Sequence, residues 1–359
     1  KSGTPYALLV LHDTRLEFVQ FGLERMLDVA RGTDAGIIYS DYYDVKAGEF
    51  SPHPVIDYQL GSIRDDFNFG SMLFLKSAAL KEASAGLRSE RLEYAGIYAA
   101  RMAISRKHAV VRIGEFLYNK IESDVRKSGE KLFDYVDPKN RRVQIEMEQA
   151  ATAHLKKIGA YLKPEFERVD LRSGEFTLEA SVVIPVRNRV KTVRHAVESA
   201  LRQRPPFLFN VIVVDNHSTD GTTDLLREIS ARDQRLVHIV PDRKDLGIGG
   251  CWNEAVHHGE CGRFAVQLDS DDLYKDPSTL ERIVDVFHRE QCAMVVGSYQ
   301  MTNFALEPIP PGVIAHKEWT PDNGRNNALR INGLGAPRAF FTPLVRKIKI
   351  PNVSYGEDY

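Results

Sequence analysis

The chain has 359 residues, 48 Lys and Arg against 49 Asp and Glu, and a net charge of -1. That balance argues against a nucleic-acid partner, which would call for a basic stripe, and no apolar run approaches the ~20 residues of a transmembrane segment. Cys251, Cys261 and Cys292 are odd in number and lack metal-site spacing, and Lys1 to Val10 shows no signal-peptide cleavage pattern, so a cytoplasmic protein with reduced thiols is expected.

In chain order, Tyr6 to Leu11 reads as a strand, Leu23-Glu24-Arg25-Met26-Leu27-Asp28-Val29 as a helix and Ala35 to Ser40 as a strand. The same block returns far downstream. Phe264 to Leu268 is a strand, Leu280-Glu281-Arg282-Ile283-Val284-Asp285-Val286 a helix and Ala293 to Tyr299 a strand. Three elements in register argue for an internal repeat. Between the copies, Pro138 to Pro164 carries apolar residues at three- and four-residue spacing (Val143, Met147, Ala150, Leu155, Ile158) and predicts a connecting helix. Leu171 to Phe176 follows as a turn or short linker.

The second half alternates apolar strands with amphipathic helices. Strands are expected at Ser181–Val186, Asn210–Val214, Leu236–Val240 and Phe264–Leu268, with helices at Val190–Gln203, Thr223–Arg232 and about Ile248–His258. This alternation predicts a mostly parallel sheet covered by helices on both faces. Ligands of such sheets bind beyond the carboxyl ends of the strands. Pro185, Asp215 and Asp269 all lie at those ends, so the topology converges them on one crevice. Asp269-Ser270-Asp271-Asp272 concentrates carboxylates there, and carboxylate oxygens suit a hard divalent cation such as Mg²⁺ or Mn²⁺.

Val183-Ile184-Pro185-Val186-Arg187-Asn188, then Val213-Val214-Asp215-Asn216-His217-Ser218-Thr219-Asp220-Gly221-Thr222, then Leu268-Asp269-Ser270-Asp271-Asp272, resemble an inverting family 2 glycosyltransferase of the type A fold. Tyr355-Gly356-Glu357-Asp358-Tyr359 resembles the family's Glu-Asp motif. The resemblance implies a Rossmann-like nucleotide-binding α/β domain over 178–359, preceded by a partial, degenerate copy of the same module over 1–137 and a linker helix and turn over 138–177. It implies an enzyme moving a sugar from a nucleotide-diphosphate sugar donor to a glycan or lipid-linked acceptor, with Mn²⁺ or Mg²⁺ as cofactor. Asp271 would hold the metal, Asp358 would be the catalytic base, and Pro185, Arg187, Asp215, Gly247, Trp252, Asp269 and Arg338 would line the donor site. The enzyme would sit in the cytoplasm, with or without peripheral contact to the inner face of the membrane.

Each residue also has a plainer reading. Asp215 could cap a helix or form an Asx-turn with Ser218 and Thr219, and Arg187 could be a surface charge. The glycines of Leu246-Gly247-Ile248-Gly249-Gly250 allow close backbone approach to a ligand, or form a plain loop. Trp252 stands where many relatives carry an Arg; it could stack on a ligand or belong to the core, and Arg243 or Lys244 could supply the missing charge. Trp319 and Arg338 fall in a region that would line the acceptor side. In the first copy Leu11-His12-Asp13-Thr14 replaces the acidic run and Glu93 stands near the base position, so that copy should hold no metal–nucleotide pair. The chain would then begin in the middle of one module and stop just after the base of the next. A sugar-nucleotide-binding scaffold without catalysis is the alternative. A nucleotidyltransferase would want a Gly-rich loop after the first strand, where Pro185-Val186-Arg187-Asn188-Arg189 has no glycine.

Overall fold

The structure, a computed structural model, describes residues 3–11, 14–59, 61–121, 141–317, 319–331 and 335–354. Two compact units divide the chain: Lys1–Pro164 with Ile309–Pro311 and Lys317–Asn332, and Glu165–Pro308 with Gly312–His316 and Gly333–Tyr359. Among the described residues no helix is long and apolar enough to cross a membrane, and all three cysteines are free thiols.

The first unit runs β1 (Tyr6–Val10), β2 (Arg15–Phe18), α1 (Gly22–Thr33), β3 (Ile37–Lys46), β4 (Glu49–His53), β5 (Met72–Lys76), α2 (Ser77–Leu87), α3 (Gly96–Ser105), β6 (Val110–Ile121) and α4 (Arg141–Ile158). Its sheet has the order β1-β5-β3-β6-β2, with β4 on β3, and only β3 and β6 pair in parallel. Helix α4, expected as a connection between modules, buries Ala150, Ala151 and Leu155 against Tyr98, Ala99 and Met102 of α3. The boundary between units falls at Pro164/Glu165. Glu93 is exposed and accepts a hydrogen bond from Arg142 Nη2 at 2.5 Å.

The second unit runs β7 (Ala180–Val186), α5 (Val193–Leu201), β8 (Phe209–Asp215), α6 (Thr222–Arg232), β9 (Leu236–Ile239), α7 (Ile248–His257), β10 (Phe264–Gln267), α8 (Thr279–Glu290), β11 (Met294–Val296), β12 (Tyr299–Thr302) and β13 (Pro308–Ile314), whose Ile309–Pro311 group with the first unit. Helix α9 (Gly324–Ala328) then falls in the first unit, and β14 (Arg338–Phe341) and α10 (Thr342–Ile348) complete the second. The main sheet has the order β11-β14-β10-β7-β8-β9. β10, β7, β8 and β9 are parallel, and β14 lies antiparallel between β10 and β11. One face buries Val182, Ile184, Val211 and Val213 with Ala196, Val197, Leu226 and Leu280 of α5, α6 and α8; the other buries Val183, Ile212 and Ala265 with Trp252 and Ala255 of α7. This is the doubly covered, mostly parallel α/β sheet expected from the alternation of elements. Pro185 sits beyond the last β10 pairing, Gln267↔Val183, so its missing N–H breaks no ladder bond on that side. The chain moves outward from β7 to β9 and then returns to β10 on the other side of β7, which creates the switch point where such sheets bind ligands.

The repeat read from the sequence has a counterpart in topology. The order β1-β5-β3 in the first unit matches β10-β14-β11 in the second, antiparallel throughout. Tyr6 pairs with Lys76 as Phe264 pairs with Phe341. Ser77 N–H donates to Pro5 O at 2.9 Å, and Thr342 N–H donates to Arg263 O at 2.9 Å. Helices α1 and α8 both end on a left-handed residue, Asp34 (φ 52°) and Gln291 (φ 50°). Burial differs between the copies. Leu8 is 40% exposed where Val266 is 0%, and Leu23 is 41% exposed where Leu280 is 0%. In the second unit β7 and α5 cover these positions; among the described residues no strand pairs with the outer edge of β1.

Residues 317 and 319–331, Trp319 among them, group with the first unit. The Asn323 and Asn327 side-chain amides donate to Glu148 of α4, and Asn326 Nδ2 donates to Leu162 O at 3.0 Å. Buried Arg330 donates through Nη1 to Asp65 at 2.5 Å and to Gln144 at 2.9 Å. Trp319 lies beside Gly324 in this segment. These polar partners come from α4, the segment just after it and the loop before β5, which helical periodicity does not reveal.

Candidate active site

The site is assembled at the carboxyl ends of β7, β8 and β10. The loop after β7 turns at Asn188, whose φ of 55° is left-handed, a conformation Asn tolerates. Asn188 is latched to the loop after β8: its N–H donates to Ser218 Oγ at 2.9 Å, and its Oδ1 accepts from Thr219 N–H at 2.8 Å. Arg189 N–H donates to Thr222 Oγ1 at 2.9 Å, and Val190 N–H to Asp220 Oδ2 at 3.1 Å. Asp220 also accepts from Thr222 N–H and Oγ1, at the first residue of the following helix. Two loops distant in sequence therefore behave as one rigid rim.

Asp215 is completely buried at the end of β8. Its Oδ1 accepts from Ser218 N–H at 3.0 Å, its Oδ2 accepts from Thr223 Oγ1 at 2.5 Å, and His238 Nε2 lies 3.4 Å from Oδ2. Desolvation pushes this carboxyl up, but the hydrogen bonds from His238, Ser218 and Thr223 outweigh it and hold it well below the usual carboxylate range. A carboxylate enclosed in this way braces the loop. The plainer reading thus describes its geometry, and the resemblance-based contact to base or ribose has no exposed oxygen here. His238, on β9, is a partner that sequence spacing gave no reason to choose.

The acidic run follows β10. Asp269 is half-buried, and its Oδ1 accepts from Gln267 Nε2 at 2.8 Å. Asp271 is exposed, and Arg189 Nε reaches to 3.7 Å of its Oδ2. Among the described residues no hydrogen bond or ion pair engages Arg187, which is exposed; the arginine that faces the carboxylates is Arg189. Desolvation, with the negative charges of Asp269 and Asp271, pushes Asp272 up to about 6 even though much of that residue's surface is open. Burial, followed by the charge of Asp272, likewise raises the Tyr299 phenol. Among the described residues no three His, Cys, Asp or Glu side chains converge as a ready-made metal cage. The donor set fits an ion shared with a ligand: hard oxygens, exposed carboxylates at Asp271 and Asp272, and mutual repulsion that a cation would relieve.

Arg338, at the start of β14, is buried and donates through Nε to Gln267 Oε1 at 2.8 Å. Gln267 thereby links Arg338 to Asp269, a connection the sequence reading missed because β14 follows β10 only after a long excursion.

Two other expected ligand positions serve packing. Trp252 is 2% exposed and meets Phe340 edge-on at 5.8 Å, so it cannot stack on a ligand from where it lies. The glycine run seats the chain's own backbone. A Cβ on Gly247 would fall 2.4 Å from Val353 C, and one on Gly249 1.9 Å from Pro351 O. Asn352 Oδ1 accepts from Gly247 N–H at 2.8 Å. Arg243 is engaged by Asp245 at 2.7 Å. The proposed base, Asp358, lies outside the described residues, as does Glu357.

Residues 181–346 match the family model Glycosyl transferase family 2, and this part of the chain is a family 2 glycosyltransferase domain. The chain is 30% identical over 149 residues to TuaG, a protein of Bacillus subtilis (strain 168) named for teichuronic acid biosynthesis; the match covers 42% of this chain and 58% of TuaG. It is 38% identical over 111 residues to the chondroitin synthase of Escherichia coli, covering 31% of this chain and 15% of that protein. A solved structure of S. aureus TarS residues 1-349 is similar over 50% of this chain and 52% of that one, at 24% identity and a TM-score of 0.40. The chain thus spans little more than half of TuaG and much less of chondroitin synthase.

Proposed function

We propose that residues 178–359 transfer a sugar from a nucleotide-diphosphate sugar to a hydroxyl of a glycan or lipid-linked acceptor, with inversion at the anomeric carbon. The observation that carries this reading is the run Asp269, Asp271 and Asp272 at the switch point of a parallel sheet, faced by Arg189 and linked through Gln267 to Arg338. Strand-end carboxylates opposite fixed arginines suit a ligand that brings both a cation and a diphosphate. TuaG and chondroitin synthase are named for building polysaccharides, which supports a growing glycan as acceptor.

Asp271 is the residue to hold Mn²⁺ or Mg²⁺, whose charge would offset that developing on the departing diphosphate. Arg189 and Arg338 place positive charge near the same end of the sheet. Asp358 takes the proton of the acceptor hydroxyl as its oxygen attacks the anomeric carbon and the bond to the diphosphate breaks. One displacement gives one inversion. Trp252, in the core, brings no charge to the diphosphate, and Arg243 is tied to Asp245.

The test is Asp271→Ala. The side chain is exposed, so the melting temperature should hardly move, whereas Mn²⁺-dependent binding of nucleoside diphosphates should be lost. Unchanged metal-dependent binding would refute the role of Asp271. Binding by the parent chain without turnover on any nucleotide sugar would favour the scaffold reading.

A further inference from the structure

The amide of Gln267 lies between a cation and an anion. Its Oε1 accepts from Arg338 Nε at 2.8 Å and from Arg338 N–H at 3.3 Å, and its Nε2 donates to Asp269 Oδ1 at 2.8 Å. Only one orientation of a carboxamide satisfies both neighbours, because a carboxylate cannot donate and a guanidinium cannot accept. Gln267 and Arg338 are 3% and 6% exposed. Polar groups so deep cost free energy relative to apolar ones of similar size.

The first unit shows that the sheet does not require them. Aligning Tyr6 with Phe264 and Lys76 with Phe341, as the strand registers do, sets Leu9 at the position of Gln267, Leu73 at that of Arg338 and Leu11 at that of Asp269. Leu9 and Leu73 pair directly across the β1–β5 ladder and line an apolar cavity of about 520 Å³. The same three-strand arrangement thus forms with leucine at all three positions. The copy that lacks the acidic run also lacks the glutamine and the arginine.

We infer that Gln267 is a positioning residue of the donor site, orienting the Asp269 carboxylate and the Arg338 guanidinium as a coupled pair toward the bound nucleotide. This rests on the glycosyl-transfer reading above. A neutral donor holds the carboxylate without cancelling its charge.

The experiment compares Gln267→Leu, Arg338→Leu, the double variant and Gln267→Glu. Urea denaturation measures coupling, and calorimetric titration with UDP, GDP and dTDP in Mn²⁺ measures binding. Each single leucine removes one side of the Gln267–Arg338 hydrogen bonds and should lower the urea midpoint. The double variant, which copies Leu9 and Leu73, should recover most of that loss. It should nevertheless bind the preferred nucleotide at least about tenfold more weakly. Gln267→Glu can accept from Arg338 but cannot donate to Asp269, so it should weaken binding comparably. A double variant that binds as tightly as the parent overturns the inference, and so do stability losses that simply add. A parent chain that binds none of the three nucleotides refutes the glycosyl-transfer reading itself, and the positioning role falls with it. That result is distinct from a parent that binds and variants that bind equally well.

Discussion

Gly249→Ala separates two physical effects by the sign of the stability change. Gly249 is in α7, where replacing Gly with Ala normally stabilises a helix by about 1 kcal/mol. Here the new Cβ would lie 1.9 Å from Pro351 O and 2.9 Å from Ile350 Cγ2. The oxygen cannot move alone. Asn253 Nδ2 donates to Ile350 O at 2.6 Å, Ile350 N–H donates to Asn253 Oδ1 at 3.0 Å, and Asn352 Nδ2 donates to Asp245 O at 3.1 Å. Gly249 N–H itself donates to Val353 O at 3.1 Å. Relieving the clash means giving up some of these bonds, each worth about 1 kcal/mol, together with an overpacking cost of about 1–3 kcal/mol. The clash should win, for a net loss of roughly 2 kcal/mol. Gly86→Ala is the matched control, because Gly86 lies in α2 with nothing within 4 Å of the added Cβ. It should stabilise by roughly 0.5–1 kcal/mol. Urea denaturation reads both, and sugar transfer by Gly249→Ala should fall more than nucleotide binding, because Pro351 to Ser354 lead directly into the Glu357-Asp358 motif. A Gly249→Ala protein as stable as the parent, or more so, would refute the backbone seat.

Leu280→Ala, at a fully buried position, should cost about 2–4 kcal/mol, whereas Leu23→Ala at the matching, 41% exposed position should cost under about 1 kcal/mol; equal losses in denaturation would show Leu23 to be covered in solution. His154 is held down to about 4 from 6.5, first by burial and then by Arg106, so the unfolded chain takes up a proton before the folded one as pH falls. The first unit should therefore lose stability between pH 6.5 and pH 4, by roughly 3 kcal/mol at the limit, and His154→Gln should flatten that dependence; parallel pH profiles of parent and variant would contradict the assignment. Asp358→Asn should slow transfer by ~10²–10⁴-fold with donor binding retained, and an undiminished rate would move the base assignment to Glu357.

The alternation of apolar strands and amphipathic helices, the acidic run at a strand end and the repeated strand–helix–strand block could all be read from the chain, because each is a local pattern with a fixed period. Partner choice could not. Nothing local in Arg338-Ala339-Phe340-Phe341 announces an antiparallel strand inserted between β10 and β11, yet that insertion is what brings Arg338 to Gln267. The resemblance pointed to Arg187; the left-handed turn at Asn188 separates it from Arg189, and it is Arg189 that comes near Asp271. The glycines and Trp252 looked like ligand contacts because small and aromatic residues serve ligands and cores alike. Tertiary structure decided for the core, by bringing the Ile350–Ser354 backbone onto the glycines and Phe340 onto the indole. Periodicity is written within a segment, whereas the identity of the neighbour depends on which distant surface wins the packing competition, and only the folded chain settles that.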